Sequence, residues 1–254
     1  IQPDPRFVQK YLKMGLDSTE AGYASLVEGF DKSMGDIVNE LKKQGVYDNT
    51  VIIFLSDNGG LSLHPARSGP SHTQNLPLRA GKGSLYEGGI RIPLLIKDIH
   101  GGNSRTSDVP VIIEDIFPTI LDFAGIRNYS LVQDSIDGKS LISLTKGQRD
   151  DSMKNRSLIW HIPNKWTVPD GPGINFFSAI RRGDFKLIYD MKKAKLELYD
   201  IENDIGETTD ISSKNPKQVK FLSKLLTKKL KDWDAQLPSY KENGQQVPYP
   251  DQIN

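Results

Sequence analysis

Cysteine is absent from these 254 residues. That excludes disulfides and thiolate-held metal sites, and it leaves the redox compartment open, since a reducing or an oxidising space tolerates such a chain equally. An excess of either charge is also lacking. Lys and Arg number 33 against 32 Asp and Glu, a balance of +1, which gives no reason to expect nucleic acid or an anionic membrane as the main partner. No apolar run approaches the ~20 residues that span a bilayer, so no membrane span is expected. No internal repeat is visible. The chain opens on IQPDPRF, without an initiator methionine or a signal-like stretch, and an upstream portion is expected to have been removed or left off. What is present is a globular composition, long enough to bury a substantial core as one large domain or one plus a smaller one.

Residues 17–45 place Ala24, Val27, Phe30, Met34, Ile37, Val38 and Leu41 at helical spacing. Asp17 or Ser18 caps the start, Glu20 favours the first turn, and Gly45 supplies a left-handed stop. The following run VIIFLS, residues 51–56, has no period-two alternation and reads as a strand covered on both faces, as in parallel sheets. Residues 59–91 form a long Gly-, Pro-, Ser- and His-rich segment, a length that in compact domains signals function or disorder. A second buried-looking strand, IPLLIK at 92–97, precedes a helix over 113–124 that ends at Gly125, with Pro118 tolerable only near its first turn. This order predicts an α/β fold: part of a doubly wound sheet over 1–145. Beyond a polar linker, SLIWH, FFSAIRRGDFKLIYD and KLELYDI read as short antiparallel strands with RRGD at a hairpin tip. Pro216 then opens a helix whose stripe is Phe221, Leu222, Leu225, Leu226, Leu230 and Trp233. Residues 146–254 are therefore expected to be a small α+β subdomain, an antiparallel sheet with one covering helix.

The stretch SDNGG ends the first strand with Asp57 and Asn58 side by side. Asp, Asn and Gly are turn formers, which is one sufficient explanation. The other is chemical. Ligands of open α/β sheets bind beyond the carboxyl ends of strands, and Asp and Asn are hard oxygen donors suited to Ca²⁺ or Mg²⁺. Two donors do not complete such a site. Lys82 lies between Gly81 and Gly83, where the backbone can turn sharply and present a compact ammonium to a tetrahedral oxyanion. A lysine in a glycine turn is more often simply solvated. The stretch is no Walker loop, for the first Gly and the Ser/Thr after Lys are missing.

In combination these pieces say more. SDNGG, followed about two dozen residues later by LRAGKGSLYEGGIRIP, resembles the C-terminal half of the sulfatases, within the alkaline-phosphatase superfamily. The resemblance extends to the 21–60 segment, to EDIFPTILDFAGI with IDGKSL, and to SAIRRGDFKLIYD with LELYDIENDIGE. It implies hydrolysis of sulfate esters of glycans or aryl groups in an alkaline-phosphatase-like fold. By the same resemblance Asp57 and Asn58 match two ligands of Ca²⁺, with Mg²⁺ the alternative, and Lys82 matches the sulfate-contacting lysine. The family's nucleophile is a formylglycine whose hydrate attacks sulfur while cationic groups stabilise the sulfate oxygens. It arises from a Cys/Ser-x-Pro-x-Arg signature that does not occur in these 254 residues. The expected partners are thus a sulfated carbohydrate or aryl sulfate and the protein's own N-terminal half. The expected compartment is periplasmic, secreted or lysosome-like.

Four histidines and three neighbouring ionic groups stand near these motifs. His72 and His161 are candidates for substrate contact, the former with His64 in the long loop, where a plain loop histidine is the favoured reading, and the latter among aromatics at a strand end, where structural packing is the alternative. His100 reads as a turn residue. Arg79 and Arg91 flank Lys82 and are potential partners of Glu87, which itself is expected to hold the turn. A phosphoesterase or phosphomutase of the same superfamily is the nearest rival, but Asn58 stands where paired zinc or manganese ions would favour imidazole. A non-catalytic glycan-binding fragment is the second rival.

Overall fold

A computed structural model describes residues 1–63, 72–99, 104–126, 136–166 and 170–253; His64 and His100 lie outside them. The described chain clusters into two compact units, the first gathering 1–55, 72 and 94–99, the second the remainder. The second unit groups the Lys82 segment with the later sheet.

In the first unit, helix α1 spans Val8–Lys13 and helix α2 spans Ser18–Lys43. Asp17 caps α2 as expected, its carboxylate accepting the Thr19 and Glu20 backbone N–H groups at 2.8 and 3.0 Å. Gly45 ends it at φ +70°. The buried face is not the expected apolar stripe. Ala21, Gly22, Ser25 and Gly29 are the buried positions, while Val27, Phe30 and Ile37 are each more than half exposed. The reason is close approach. A Cβ on Gly22 would touch Ile1 and Pro3, and one on Gly29 would fall 2.3 Å from the Asp4 carboxylate. Asp4 N–H also donates to Ser25 Oγ at 2.9 Å. The small-residue side therefore takes the N-terminal segment.

Strands β1, Ile52–Leu55, and β2, Leu94–Lys97, pair antiparallel in register Ile52 with Lys97 and Leu55 with Leu94. A parallel pairing was expected. The intervening segment instead returns the chain alongside its own strand, and Leu95 is 61% exposed. Lack of alternation in the sequence thus reflects apolar residues on both faces of this ribbon rather than burial of both.

The second unit carries the short helix α3, Glu87–Ile90, then α4, Ile116–Phe123, and single turns α5, Ile142–Thr145, and α6, Asp151–Lys154. Pro118 falls in the first turn of α4 and Gly125 follows it at φ +71°. Fully buried Asp115 fastens this helix, accepting the Ile112 and Lys139 N–H groups and a two-armed ion pair from Arg156. The main sheet is a four-stranded antiparallel meander, β3 Ser157–Ile162, β4 Phe177–Arg182, β5 Phe185–Asp190 and β6 Lys195–Asp200, in that order. Gly183, at φ +58°, turns the β4–β5 hairpin at the RRGD tip. Helix α7, Pro216–Asp232, lays Leu222, Leu226 and Leu230, all fully buried, against Ile180, Leu187 and Leu198. Phe221 and Trp233, expected in the same stripe, are 47% and 44% exposed. The tail beyond α7 completes this core with Leu237 and Val247, and Tyr189 donates its hydroxyl to Pro248 O at 2.6 Å.

Candidate active site: the DNGG turn and the GKG loop

The turn after β1 and the glycine loop around Lys82 interlock through their backbones. Gly59 N–H donates to Gly89 O at 2.9 Å, and Lys82 N–H donates to Gly60 O at 2.7 Å. Asn75 stitches both sides, its amide donating to Gly60 O, Leu61 O and Ala80 O at 3.2, 3.1 and 2.8 Å. Only glycine fits at the seam. A Cβ on Gly59 would stand 1.8 Å from Gly88 O, and one on Gly81 would stand 2.6 Å from Gly60 O. Lys82 therefore branches from the chain two residues beyond Asn58 in contact terms, although 24 residues separate them in sequence. Asp57 is exposed, and Asn58 and Lys82 are half-buried. The Asn58 amide donates to Gly59 O at 2.9 Å, which fixes its plane and leaves its oxygen as the donor atom for a cation.

Behind the loop lies a buried ionic cluster. Lys186 of β5, fully buried, sits 2.9 Å from Glu87 Oε1 and 2.9 Å from Glu207 Oε1. Glu207 Oε2 accepts the Glu87 N–H at 2.6 Å. Arg91 and Arg181 approach Glu87 at 3.3 and 3.5 Å. Burial would raise both carboxyl groups, but the three cations around Glu87 outweigh it and hold that group below the ordinary carboxylate range. At Glu207 burial prevails over Lys186, and its carboxyl is pushed up. Arg79 takes no part in this pairing. Its guanidinium lies 3.8 Å over the Tyr86 ring and donates to Tyr199 Oη and Glu207 O at 2.9 and 3.0 Å. Tyr86 and Tyr199 both donate to Glu197, at 2.6 and 2.8 Å. The expectation that Glu87 holds the turn is met in these contacts, with partners on strands about a hundred residues away.

The two histidines among the described residues both have protein partners. His161 sits in β3 with Nδ1 2.7 Å from Ser178 Oγ and Nε2 2.8 Å from Gln236 O. A carbonyl only accepts, so Nε2 carries the hydrogen and Nδ1 accepts from the serine hydroxyl. Burial lowers the pKa of this ring, against the opposing effect of the Gln236 carbonyl. Both ring nitrogens thus have protein partners. His72 is buried in the first unit, Nε2 2.8 Å from Glu20 Oε2 and its ring 4.9 Å from that of Tyr23.

Asp57 and Asn58 suit a hard cation in kind. In number they fall short: among the described residues no group of three or more His, Asp or Glu side chains could hold a metal ion, whereas Ca²⁺ takes about six to eight oxygens. The turn offers part of a cation site.

Two family profiles match this chain. One, described as Sulfatase, covers residues 5–126, and the other, described as N-sulphoglucosamine sulphohydrolase, C-terminal, covers residues 81–236. The chain belongs to the sulfatase family. A protein called Sulfatase from Formosa agariphila is 34% identical over 248 residues, covering 91% of this sulfatase chain and 43% of that protein. Among solved structures, BT4656 in complex with D-glucosamine-2-N,6-O-disulfate has a TM-score of 0.66 at 28% identity, covering 84% of this chain and 40% of that one. Ps i-CgsB, solved with k-i-k-neocarrahexaose, has a TM-score of 0.67 at 26% identity, covering 94% and 48%. The fold is thus the α/β fold of sulfatases, and this sulfatase chain spans under half the length of the relatives it matches. Composition alone missed Lys186 and Glu207 as supports of the loop, because nothing local marks the lysine of FKLIYD or the glutamate of IGE as buried.

Proposed function

We propose that the protein is a sulfuric-ester hydrolase acting on sulfated carbohydrates, and that these residues supply its sulfate-binding cation and part of its metal site. The observation that carries this reading is the interlock of the DNGG turn with the GKG loop, through Lys82 N–H on Gly60 O. It puts the Lys82 backbone on Gly60, two residues after Asn58, which supports a shared site for the acid, the carboxamide and the ammonium. Lys82 binds the sulfate as a point charge, on a turn whose flanking glycines let Gly60 and Trp166 pack close. Asp57 and Asn58 would give two oxygens to a Ca²⁺ ion, which would supply Lewis-acid chemistry when bound. The remaining ligands and the nucleophile, a formylglycine by family resemblance, come from residues outside this segment. Two similar structures hold a sulfated glucosamine and a neocarrahexaose, which favours a carbohydrate ester over a small aryl sulfate.

The test measures inorganic sulfate and inorganic phosphate released from matched pyranose sulfates and phosphates by the protein as its gene encodes it. Sulfate release with little phosphate release is expected. The reverse preference would transfer the site to the phosphoesterases, and release of neither would leave a glycan-binding fragment.

A further inference from the structure

Trp166 lies against the very turn that carries Lys82. A Cβ placed on Gly83, at φ +89°, would fall 2.0 Å from Cζ3 of this indole and 2.5 Å from its Cε3, so the benzenoid ring rests directly on the glycine. The tryptophan is nonetheless 45% exposed. Large aromatics normally bury most of their area, and this one keeps much of its surface in solvent beside a cationic loop.

Its position is fixed rather than incidental. Trp166 N–H donates at 2.7 Å to Asn175 Oδ1. Asn175 is itself fully buried and strained at φ +66°, with its amide donating to Asp170 at 2.6 Å. The following residues dock on the GKG loop: Ser84 Oγ donates to Pro172 O at 2.8 Å and Leu85 N–H to Gly173 O at 3.0 Å. Gly173 tolerates no side chain, since a Cβ there would meet Ser84 Oγ at 2.5 Å. The backbone that carries the indole is thereby held to the loop, and the indole itself rests on Gly83, the residue next to Lys82. Exposed Asn164 and Lys165 stand beside it, polar neighbours suited to hydroxyl groups.

We infer that Trp166 is a specificity-determining residue of the sulfate site, its indole stacking on the apolar face of the pyranose whose ester sulfate Lys82 holds. This rests on the sulfatase reading and adds the class of ring that the site accepts. A rigid aromatic surface offers contact area at low entropic cost, and a pyranose presents C–H groups on one face and hydroxyls at its rim.

The experiment is steady-state kinetics of the protein as its gene encodes it on a panel of pyranose monosulfates and on 4-nitrophenyl sulfate, with inorganic sulfate as competitive inhibitor. Trp166→Ala is expected to raise KM for the best pyranose sulfate about fivefold, to leave inhibition by inorganic sulfate unchanged, and to be largely rescued by Trp166→Phe. Unchanged KM in Trp166→Ala overturns the inference. So does a loss of sulfate inhibition parallel to the loss of substrate affinity, which would make Trp166 a prop of the glycine loop. An effect confined to 4-nitrophenyl sulfate overturns the pyranose assignment alone. A wild-type protein that releases sulfate from no ester would instead overturn the sulfatase reading, and this inference with it.

Discussion

At the scale of single residues, the site and its support obey opposite electrostatic logics. Asp57 is exposed and Asn58 half-buried at the end of a strand, where a hard cation can replace water as their partner. Asp57→Ala is expected to remove more than half of the bound calcium from the protein as its gene encodes it, measured by elemental analysis after gel filtration. Undiminished calcium would take Asp57 out of the ligand set. Lys186, by contrast, is fully buried between Glu87 and Glu207. Removing one member of such a cluster leaves uncompensated charge, so Lys186→Met should cost roughly 3–5 kcal/mol in urea unfolding. Adding Glu87→Gln and Glu207→Gln to that variant should recover part of the loss. A single variant as stable as wild type would mean that the cluster contributes little to holding the Lys82 loop.

At the scale of elements, His161 clasps β3 to β4 through Ser178 and to the segment after α7 through Gln236. Its folded pKa is depressed, chiefly by burial. A base of that kind takes up protons more readily when unfolded. Its contribution is therefore fully present above the unfolded value of about 6.5 and declines as pH falls through that value toward the lower folded one. His161→Gln should flatten this part of the curve, read as a smaller drop in urea midpoint between about pH 7.5 and 5.5. Identical slopes in both proteins would contradict the clasp. Elements of this kind were legible in sequence when their signal was local. Asp17 and Gly45 bounded α2, RRGD marked the β4–β5 tip, and Leu222, Leu226 and Leu230 named the buried side of α7. They were illegible where a distant segment decided. Gly22, Ser25 and Gly29 do not look like a buried face until residues 1–4 lie on them. The polar tail gave no warning of Leu237 and Val247 in the core, and two unalternating strands gave no sign that they run antiparallel.

At the scale of the whole molecule, the fold joins two motifs that lie apart in sequence. The motif pair SDNGG and GKG was visible as two separated stretches, and the backbone joins them at Gly60 and Lys82. The charge cluster behind them was invisible because it unites residues such as Glu87 and Lys186, 99 positions apart. No helix among the described residues is long and apolar enough to cross a membrane. The chain spans less than half the length of the relatives it matches, and the central claim is tested on the protein as its gene encodes it. The decisive measurement is kcat/KM of Lys82→Ala on a pyranose sulfate beside its urea midpoint. On the proposed role, loss of the Lys82 ammonium should lower kcat/KM by about 100-fold or more, with the unfolding midpoint unmoved. Wild-type kinetics in a variant that is folded and loaded with metal would contradict the account.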